Sequence, residues 1–433
     1  MVKFLSKVGN NDNFLSLLGH IIFATLGFIS FVAVARTLDK NDFGQWVLYI
    51  TTASFIEMLR FGITRTAVIR FLSGSDPNER KALIGSNYFL GLVITLAICI
   101  LIIPIYFIFS KSISNSGFIY FFEWYPILAF INLPFNNALT ILQADQKFKE
   151  ILYIRSFNIG AFVLLIVLNL LFFHLGIDGI IILHLIINIL TSLICMFLGW
   201  DGFLHFSKFN SATNKKIFDF GKFSAGTVIG SNLLKSADTF IIGISAFMGT
   251  AGVATYSIPL KLTELLEIPL RSFAATLLPK LSKASIDNNL ELIKNEFYKY
   301  TGNLTLAFIA ICTFGFIFSE ELVILLAGKD YIESSIIFKV FCIYGLLLPI
   351  DRFSGVTLDS LNRPHHNFLK VGGMALINII GNLIAVFYFK SLIYVSLVTI
   401  FMTLMGVVIG LYYLNKDIHI EFSRFFKFDF KTH

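Results

Sequence analysis

The chain has 433 residues, of which 56% are hydrophobic and only 14% are charged. A soluble protein of this length would expose far more charge, so the composition excludes a soluble globular protein and indicates a polytopic membrane protein. The formal net charge of +7 does not indicate nucleic-acid binding, because the basic residues are spread along the connections between apolar stretches.

Apolar stretches long enough to cross a membrane follow one another along the chain. About 20 apolar residues span the hydrocarbon core of a bilayer, and on this measure the sequence predicts about twelve membrane helices. The first stretch is too long for the core of a signal peptide, so we interpret it as a retained span. The predicted spans are 14–35, 43–69, 83–109, 118–142, 151–173, 177–199, 222–246, 250–276, 302–325, 334–361, 368–389 and 391–414.

The two halves of the chain share a pattern of charge and aromatic residues. The second span carries Trp46 and Glu57, and about half a chain later Tyr256 and Glu267 stand in the corresponding places. Such repeats are typical of transporters. The predicted fold class is all-α, with two six-helix bundles related by pseudo-symmetry. The predicted domains are an N-terminal bundle (1–200), a cytoplasmic linker (201–221), a C-terminal bundle (222–414) and an interfacial tail (415–433).

The distribution of Lys and Arg orients the predicted spans. The N-terminus, the connections after even-numbered spans and the C-terminus together hold most of these residues. The other connections hold Arg36, Lys40, Lys111, Lys329 and Lys390. Because basic residues concentrate on the cytoplasmic side of a membrane protein, the sequence predicts that both termini are cytoplasmic.

The sequence shows no constellation typical of an enzyme or a metal site. Its four cysteines lie within apolar stretches at no metal-ligand spacing, which favours buried, reduced thiols. His174 stands alone at a turn, and His365 and His366 fall on the predicted cytoplasmic side. We therefore expect no catalytic residue, no bound metal and no organic cofactor.

Charged residues recur inside the predicted spans, most of them in acid–base pairs. Spacings of three or four residues place both members of a pair on one helix face. A charge at the centre of a membrane helix costs about 2.5–3.5 kcal/mol on insertion scales, so such residues usually face other helices or a wet cavity. The pairs are Glu57 with Arg60, Lys235 with Asp238, Lys261 with Glu264, Glu267 with Arg271, and the adjacent Asp351 with Arg352.

Two interpretations fit these pairs. In the first, each pair neutralises itself and joins neighbouring helices. In the second, the charged helices line one hydrated central cavity shared by the two halves. We favour the cavity, because the charges fall on the second, seventh, eighth and tenth helices and a buried ion pair is a weak source of stability.

A cavity with several cations suits an anionic substrate. The planar fork of Arg can bond two oxygens of a diphosphate at once, whereas Lys acts as a compact charge. The acids are candidates for coupling to a proton or sodium gradient. The predicted substrate-binding residues are Arg60, Lys235, Lys261, Arg271 and Arg352, and the predicted ion-coupling residues are Asp238, Glu267, Glu57, Glu264, Asp351 and Asp359.

Both halves also carry short motifs. In the first half they are Arg36-Thr-Leu, Phe43-Gly-Gln-Trp46, Phe61-Gly-Ile and Arg70-Phe-Leu. In the second half they are Asp238-Thr-Phe-Ile-Ile-Gly243, Gly252-Val-Ala-Thr-Tyr256-Ser-Ile-Pro259, Lys261-Leu-Thr-Glu264, Pro269, Leu278-Pro279-Lys-Leu-Ser282 and Gly328-Lys-Asp-Tyr331. Over nearly the whole chain these motifs resemble the polysaccharide biosynthesis proteins, the lipid-linked oligosaccharide flippases that move O-antigen units.

The resemblance implies a function and a place. The substrate would be an undecaprenyl-diphosphate-linked oligosaccharide, turned from the inner to the outer leaflet of the bacterial cytoplasmic membrane. The mechanism would be alternating access of the two bundles around a central, cationic cavity. The implied partners are this lipid-linked oligosaccharide, membrane lipids and other membrane proteins of polysaccharide assembly, with no nucleic acid.

Two other functions deserve comparison. A drug–cation antiporter of the same superfold would need an acidic or apolar pocket rather than one with Arg60, Arg271 and Arg352. A membrane polysaccharide polymerase, ligase or glycosyltransferase would need a sizeable outer loop or a catalytic site on a soluble face. The predicted outer connections are short, which disfavours the enzyme.

Overall fold

The computed structural model describes residues 12–421, except for the side chains of residues 12–18, 20, 223–231 and 234. Twelve long helices, named α1 to α12, make up most of this part of the chain. Their bounds are α1 (Asp12–Thr37), α2 (Lys40–Gly62), α3 (Pro77–Ile108), α4 (Ile119–Ala144), α5 (Phe148–Leu168), α6 (Ile177–Phe197), α7 (Ser211–Ile244), α8 (Gly249–Ile286), α9 (Leu290–Ile317), α10 (Ser334–Ser360), α11 (Pro364–Leu383) and α12 (Leu392–Ile418).

Short helical segments extend or join the long ones. Arg65–Leu72 continues α2 after a break, and the π-helical segments Asn169–Phe173 and Ile384–Tyr388 extend α5 and α11. The others are the α-helices Ser110–Ser114 and Ser319–Ala327 and the 3₁₀ helices Phe203–Lys208 and Lys329–Tyr331. The fifth long helix of each half, α5 and α11, therefore ends in a π-helical segment, which agrees with the repeat seen in the sequence.

The predicted spans and the observed helices correspond one to one. Within residues 12–421, nine helices are long and apolar enough to cross a membrane. The other three long helices are α1, whose apolar part is Ile21–Thr37, and α7 and α8, which carry several of the predicted site residues. The predicted fold class, an all-α polytopic membrane protein, is confirmed.

Polar side chains fix where several helices begin. The Asp39 carboxylate accepts a hydrogen bond from the Asp42 backbone N–H at 2.9 Å, and Asn289 does the same for Leu292 at 3.0 Å. Asp76 precedes Pro77 and accepts from the next two free N–H groups of α3. These are the residue types that cap helix N-termini, since their oxygens satisfy N–H groups that lack a partner in the helix.

The described chain divides into two compact units. Unit 1 runs up to Ser236 and includes Gly249–Ala251, and unit 2 comprises Ala237–Met248 and the residues from Gly252 onwards. In unit 1, α1 packs on α5, and α4 packs on α2, α3 and α6. In unit 2, α10 packs on α9 and α12, and α11 packs on α12. The predicted linker contains the 3₁₀ helix Phe203–Lys208 and the start of α7.

Close backbone contact within unit 1 depends on a glycine near the start of α7. A Cβ atom added at Gly221 would lie 1.6 Å from the carbonyl oxygen of Ile63, at the break after α2. No side chain fits there unless the backbone moves. This contact holds the beginning of α7 against the end of α2.

Gly221→Ala is therefore expected to destabilise the protein by about 1–3 kcal/mol, the usual cost of overpacking a well-packed contact. Thermal unfolding in detergent would measure the change. Gly372→Ala is the matched control, because a Cβ atom at Gly372 meets nothing within 4 Å. Equal unfolding temperatures for the two variants would contradict this account of the α2–α7 contact.

Two sequence predictions concern residues that lie partly outside the described part of the chain. The N-terminal Lys3 and Lys7, used in orienting the spans, lie outside the described residues. The predicted interfacial tail begins within α12, which continues to Ile418. Residues 422–433 of that tail also lie outside the described part of the chain.

Candidate functional site

Unit 1 contains a polar network centred on Glu57. The Glu57 carboxylate accepts hydrogen bonds from the Tyr125 hydroxyl at 2.9 Å, the Asn136 amide at 3.1 Å and the Arg60 guanidinium at 2.9 Å. Its side chain is 17% exposed. Glu57 and Arg60 come from α2 and both partners from α4, so the network joins these two helices at the depth of the membrane.

Arg60 is the most deeply buried of the predicted cations. Its side chain is 0% exposed, and it also donates to the Thr95 hydroxyl at 3.2 Å and to the Ala129 carbonyl oxygen. The guanidinium carbon lies 4.3 Å from the centre of the Phe61 ring. These contacts fit a cation that holds α2, α3 and α4 together, and a direct role of Arg60 in substrate binding stays a prediction.

In unit 2, one face of α8 carries four charged side chains that are partly or fully accessible. Lys261 and Glu264 form an ion pair at 2.7 Å, with exposed side-chain fractions of 26% and 51%. One turn further, Arg271 donates a hydrogen bond to Glu267, and the Arg271 side chain is 61% exposed. The internal pairing expected from the sequence is present here, yet the groups stay accessible within a membrane helix. We call these four residues the α8 charged face.

Asp238 has a different environment. It is buried, with 6% exposure, and accepts hydrogen bonds from the Tyr256 hydroxyl at 2.7 Å and the Asn378 and Asn382 amides at 2.9 and 2.6 Å. Among the described residues, no cationic side chain pairs with this carboxylate. The side-chain carbonyl oxygens of Asn378 and Asn382 are buried and find no hydrogen-bond partner in the described part of the chain.

These contacts place three hydrogen-bond donors, the Tyr256 hydroxyl and the Asn378 and Asn382 amides, around one buried carboxylate. Burying a carboxylate without a cation costs several kcal/mol even after the surroundings relax. A proton on Asp238 would remove the charge, and a small hard cation such as sodium would compensate it, since oxygen ligands suit such cations. Asp238, Tyr256, Asn378 and Asn382 together are called the Asp238 cluster, and a role of this cluster in ion coupling stays a prediction.

The remaining predicted acids lie on α10. Asp351 pairs with Lys370 at 2.7 Å rather than with the adjacent Arg352. Lys370 is 3% exposed and also donates to the Ser354 hydroxyl at 3.1 Å. Asp359 accepts from the Asn367 amide at 3.0 Å. Arg352, like Lys235 on α7, is exposed.

The structure thus separates the predicted residues into three groups. Lys261, Glu264, Glu267 and Arg271 share one exposed helix face, whereas Glu57 and Arg60 lie in the network of unit 1. Asp238 is buried in unit 2, whereas Asp351 is partly exposed there and pairs with Lys370. Sequence reasoning missed the partners that define these positions, which are Tyr125, Tyr256, Lys370, Asn378 and Asn382.

One signal for the missed partners is present in the sequence. Asn378 and Asn382 are four residues apart in an apolar span, so two amides share one helix face. Lys370 stands two turns earlier on that face, near the start of the predicted span 368–389. Polar residues in membrane helices are rare and usually point to the bundle interior, and this rule applies to amides as well as to charges.

Comparisons with known proteins bear on the whole arrangement. The family model described as "Polysaccharide biosynthesis protein" matches residues 11–285. Comparison with curated proteins gave no significant match.

Solved structures of transporters share the fold. The lipid II flippase MurJ in an inward closed conformation has a TM-score of 0.74 and 16% identity to this chain. The match covers 94% of this chain and 88% of the flippase chain. An inward-facing multidrug resistance MATE transporter of the MOP superfamily gives the same TM-score and identity, with 91% and 95% coverage. A MOP superfamily transporter from Pyrococcus furiosus has a TM-score of 0.61 and 15% identity, with 96% and 95% coverage.

At these identities the solved structures show the fold of a MOP superfamily transporter. The family model covers more than half of the chain, and its match includes both the Glu57 network and the α8 charged face. The chain therefore belongs to the polysaccharide biosynthesis protein family.

Proposed function

We propose that the protein is a flippase for undecaprenyl-diphosphate-linked oligosaccharide, such as an O-antigen or similar surface-polysaccharide repeat unit. It would carry this lipid from the inner to the outer leaflet of the bacterial cytoplasmic membrane, with both of its own termini in the cytoplasm. The chain would act as a transporter and not as an enzyme, by alternating access. Other membrane proteins of polysaccharide assembly would supply the substrate and receive it.

One observation carries the proposal. In a chain of this family, α8 carries Lys261 and Arg271 inside a predicted span, and their side chains stay 26% and 61% exposed although each is paired with an acid. Charges at such positions usually face other helices, water or a ligand. Arg271 keeps most of its side chain accessible, and a guanidinium can bond two oxygens of a diphosphate together. The exposed Lys235 and Arg352 stay predicted substrate-binding residues.

Coupling to an ion gradient is the second part of the proposal. The Asp238 cluster supplies a buried carboxylate that needs a positive charge, and its amide oxygens face no other partner among the described residues. We propose that a proton or a sodium ion binds there. The other acids predicted for coupling already have bonding partners, including Arg60 for Glu57 and Lys370 for Asp351.

A drug–cation antiporter is the second candidate function. Two observations favour it, namely the similarity to MATE transporters and the exposed carboxylates of Glu264 and Glu267. We place the anionic lipid first because the chain belongs to the polysaccharide biosynthesis protein family and because Arg271, the most exposed side chain of the α8 charged face, offers a guanidinium that suits a diphosphate.

Binding to the purified protein tests this choice. Wild-type protein in nanodiscs should bind undecaprenyl diphosphate and should bind undecaprenol, which lacks the diphosphate, much more weakly. Arg271→Gln should weaken diphosphate binding about tenfold to a hundredfold, because a hydrogen bond to a charged group contributes about 1.5–3 kcal/mol. Binding of a lipophilic cation with no binding of undecaprenyl diphosphate would support the antiporter instead.

A further inference from the structure

The α8 charged face carries two carboxylates beside its two cations. Lys261, Glu264, Glu267 and Arg271 follow one another at steps of three, three and four residues, which places them on one side of the helix. Each cation is paired with the nearer acid. The face therefore presents two positive and two negative charges, with the acids in the middle.

This arrangement is unexpected on a surface that receives a diphosphate. A carboxylate repels a phosphate, and the repulsion is stronger where water is partly excluded. Stability does not explain the acids either, because exposed ion pairs contribute between nothing and about 1 kcal/mol. The side chains of Glu264 and Arg271 are both more than half exposed, so these pairs belong to that weak class.

We propose that the Glu267 carboxylate is an internal substitute for the substrate phosphate on Arg271, and that Glu264 does the same on Lys261. A carboxylate and a phosphate oxygen accept from the same N–H donors of a guanidinium. In the empty protein, Glu267 takes one of these donors. When the diphosphate binds, Arg271 exchanges the carboxylate for phosphate oxygens, and the carboxylate returns when the lipid leaves.

The exchange would serve a transporter in two ways. The empty face stays neutral at the depth of the membrane, which lowers the cost of passing through the cycle without cargo. Competition by the carboxylates also limits how tightly the diphosphate is held, so that its release is not too slow for turnover. A carrier gains nothing from a binding site that its cargo cannot leave.

Glu267→Gln tests this inference, which rests on the proposed function. Glutamine keeps the size of the side chain and removes its charge. We expect the Kd of the variant for undecaprenyl diphosphate in nanodiscs to fall about threefold to tenfold, because a nearby like charge has been removed. Dissociation of the lipid should slow by a similar factor, and the maximal rate of lipid transport in proteoliposomes should fall.

Glu320→Gln is the matched control. Glu320 is another exposed carboxylate of unit 2 and pairs with Lys339 at 3.8 Å, away from the α8 charged face. It should leave binding and transport unchanged. Glu264→Gln repeats the test independently at Lys261, and the double variant Glu267→Gln/Arg271→Gln should lose the gain in affinity.

The outcomes separate the two proposals. A Kd for Glu267→Gln that is unchanged or higher than that of the wild type, in a protein that unfolds at the normal temperature, overturns the exchange. Glutamine at 267 would then have removed a contact to the substrate or nothing at all. If the wild-type protein and every variant fail to bind undecaprenyl diphosphate, the proposed function fails instead.

Discussion

Asp238→Asn is expected to abolish the response of lipid transport to a proton or sodium gradient while leaving the protein folded. The carboxylate of Asp238 is buried, and its described partners are the neutral Tyr256, Asn378 and Asn382. Asparagine has the same shape and no charge, so the variant no longer needs a bound cation. The unfolding temperature should stay the same or rise, since an uncompensated buried charge is removed.

The measurement is transport in proteoliposomes with and without an imposed gradient of protons or of sodium ions. A response to one gradient in the wild type identifies the coupling ion. Asp330→Asn is the control, because Asp330 is an exposed carboxylate outside the Asp238 cluster. An undiminished gradient response in Asp238→Asn would exclude Asp238 from coupling and leave the other predicted acids as candidates.

Arg60→Ala is expected to lower both transport and the amount of folded protein. The sequence alone predicted Arg60 as a substrate-binding residue. In the structure, however, Arg60 is fully buried and pairs with Glu57. Removing one member of a buried ion pair costs about 3–5 kcal/mol, because the other charge remains uncompensated. The thermal unfolding temperature in detergent should fall accordingly.

The double variant Glu57→Gln/Arg60→Gln separates structure from substrate binding. It removes both charges and keeps groups that can form hydrogen bonds, so it should recover most of the lost stability. If transport returns together with stability, Arg60 acts in the fold. A stable double variant that does not bind undecaprenyl diphosphate would instead show that Arg60 is needed for the substrate. Normal stability of Arg60→Ala would contradict the burial argument.

Much of the fold follows from local properties of the sequence. Runs of apolar residues predict the spans, because each membrane helix must satisfy its own backbone hydrogen bonds and bury its side chains in lipid. The residues at which helices end were less predictable. The span predicted at 250–276 belongs to α8, which continues to Ile286, since a helix can extend beyond the bilayer into water where hydropathy no longer marks it.

The side-chain partners of charged residues were predicted well only where both partners lie on one helix. Lys261–Glu264 and Glu267–Arg271 form as their spacing indicates. Asp238 instead bonds to Asn378 and Asn382 on α11. Partners that are far apart in sequence depend on how α7, α8 and α11 pack, and local spacing contains no information about that packing.

Residues with similar sequence surroundings also differ in how deeply the structure buries them. Arg60 and Arg271 are both arginines next to an acid in a membrane span, yet their side chains are 0% and 61% exposed. Arg60 lies inside a network of three helices, whereas Arg271 belongs to an accessible face. Composition and periodicity cannot separate these cases, because the apolar surroundings of both residues look similar in one dimension.

Leaflet exchange of a fluorescent undecaprenyl-diphosphate oligosaccharide in proteoliposomes tests the central claim most directly. The purified wild-type protein should move the lipid from one leaflet to the other, as shown by its loss from the leaflet that an external quencher reaches. Arg271→Gln should slow this movement, while Glu320→Gln should not. Equal rates in protein-containing and protein-free vesicles, together with uptake of a lipophilic cation by the same protein, would contradict the flippase and establish the antiporter.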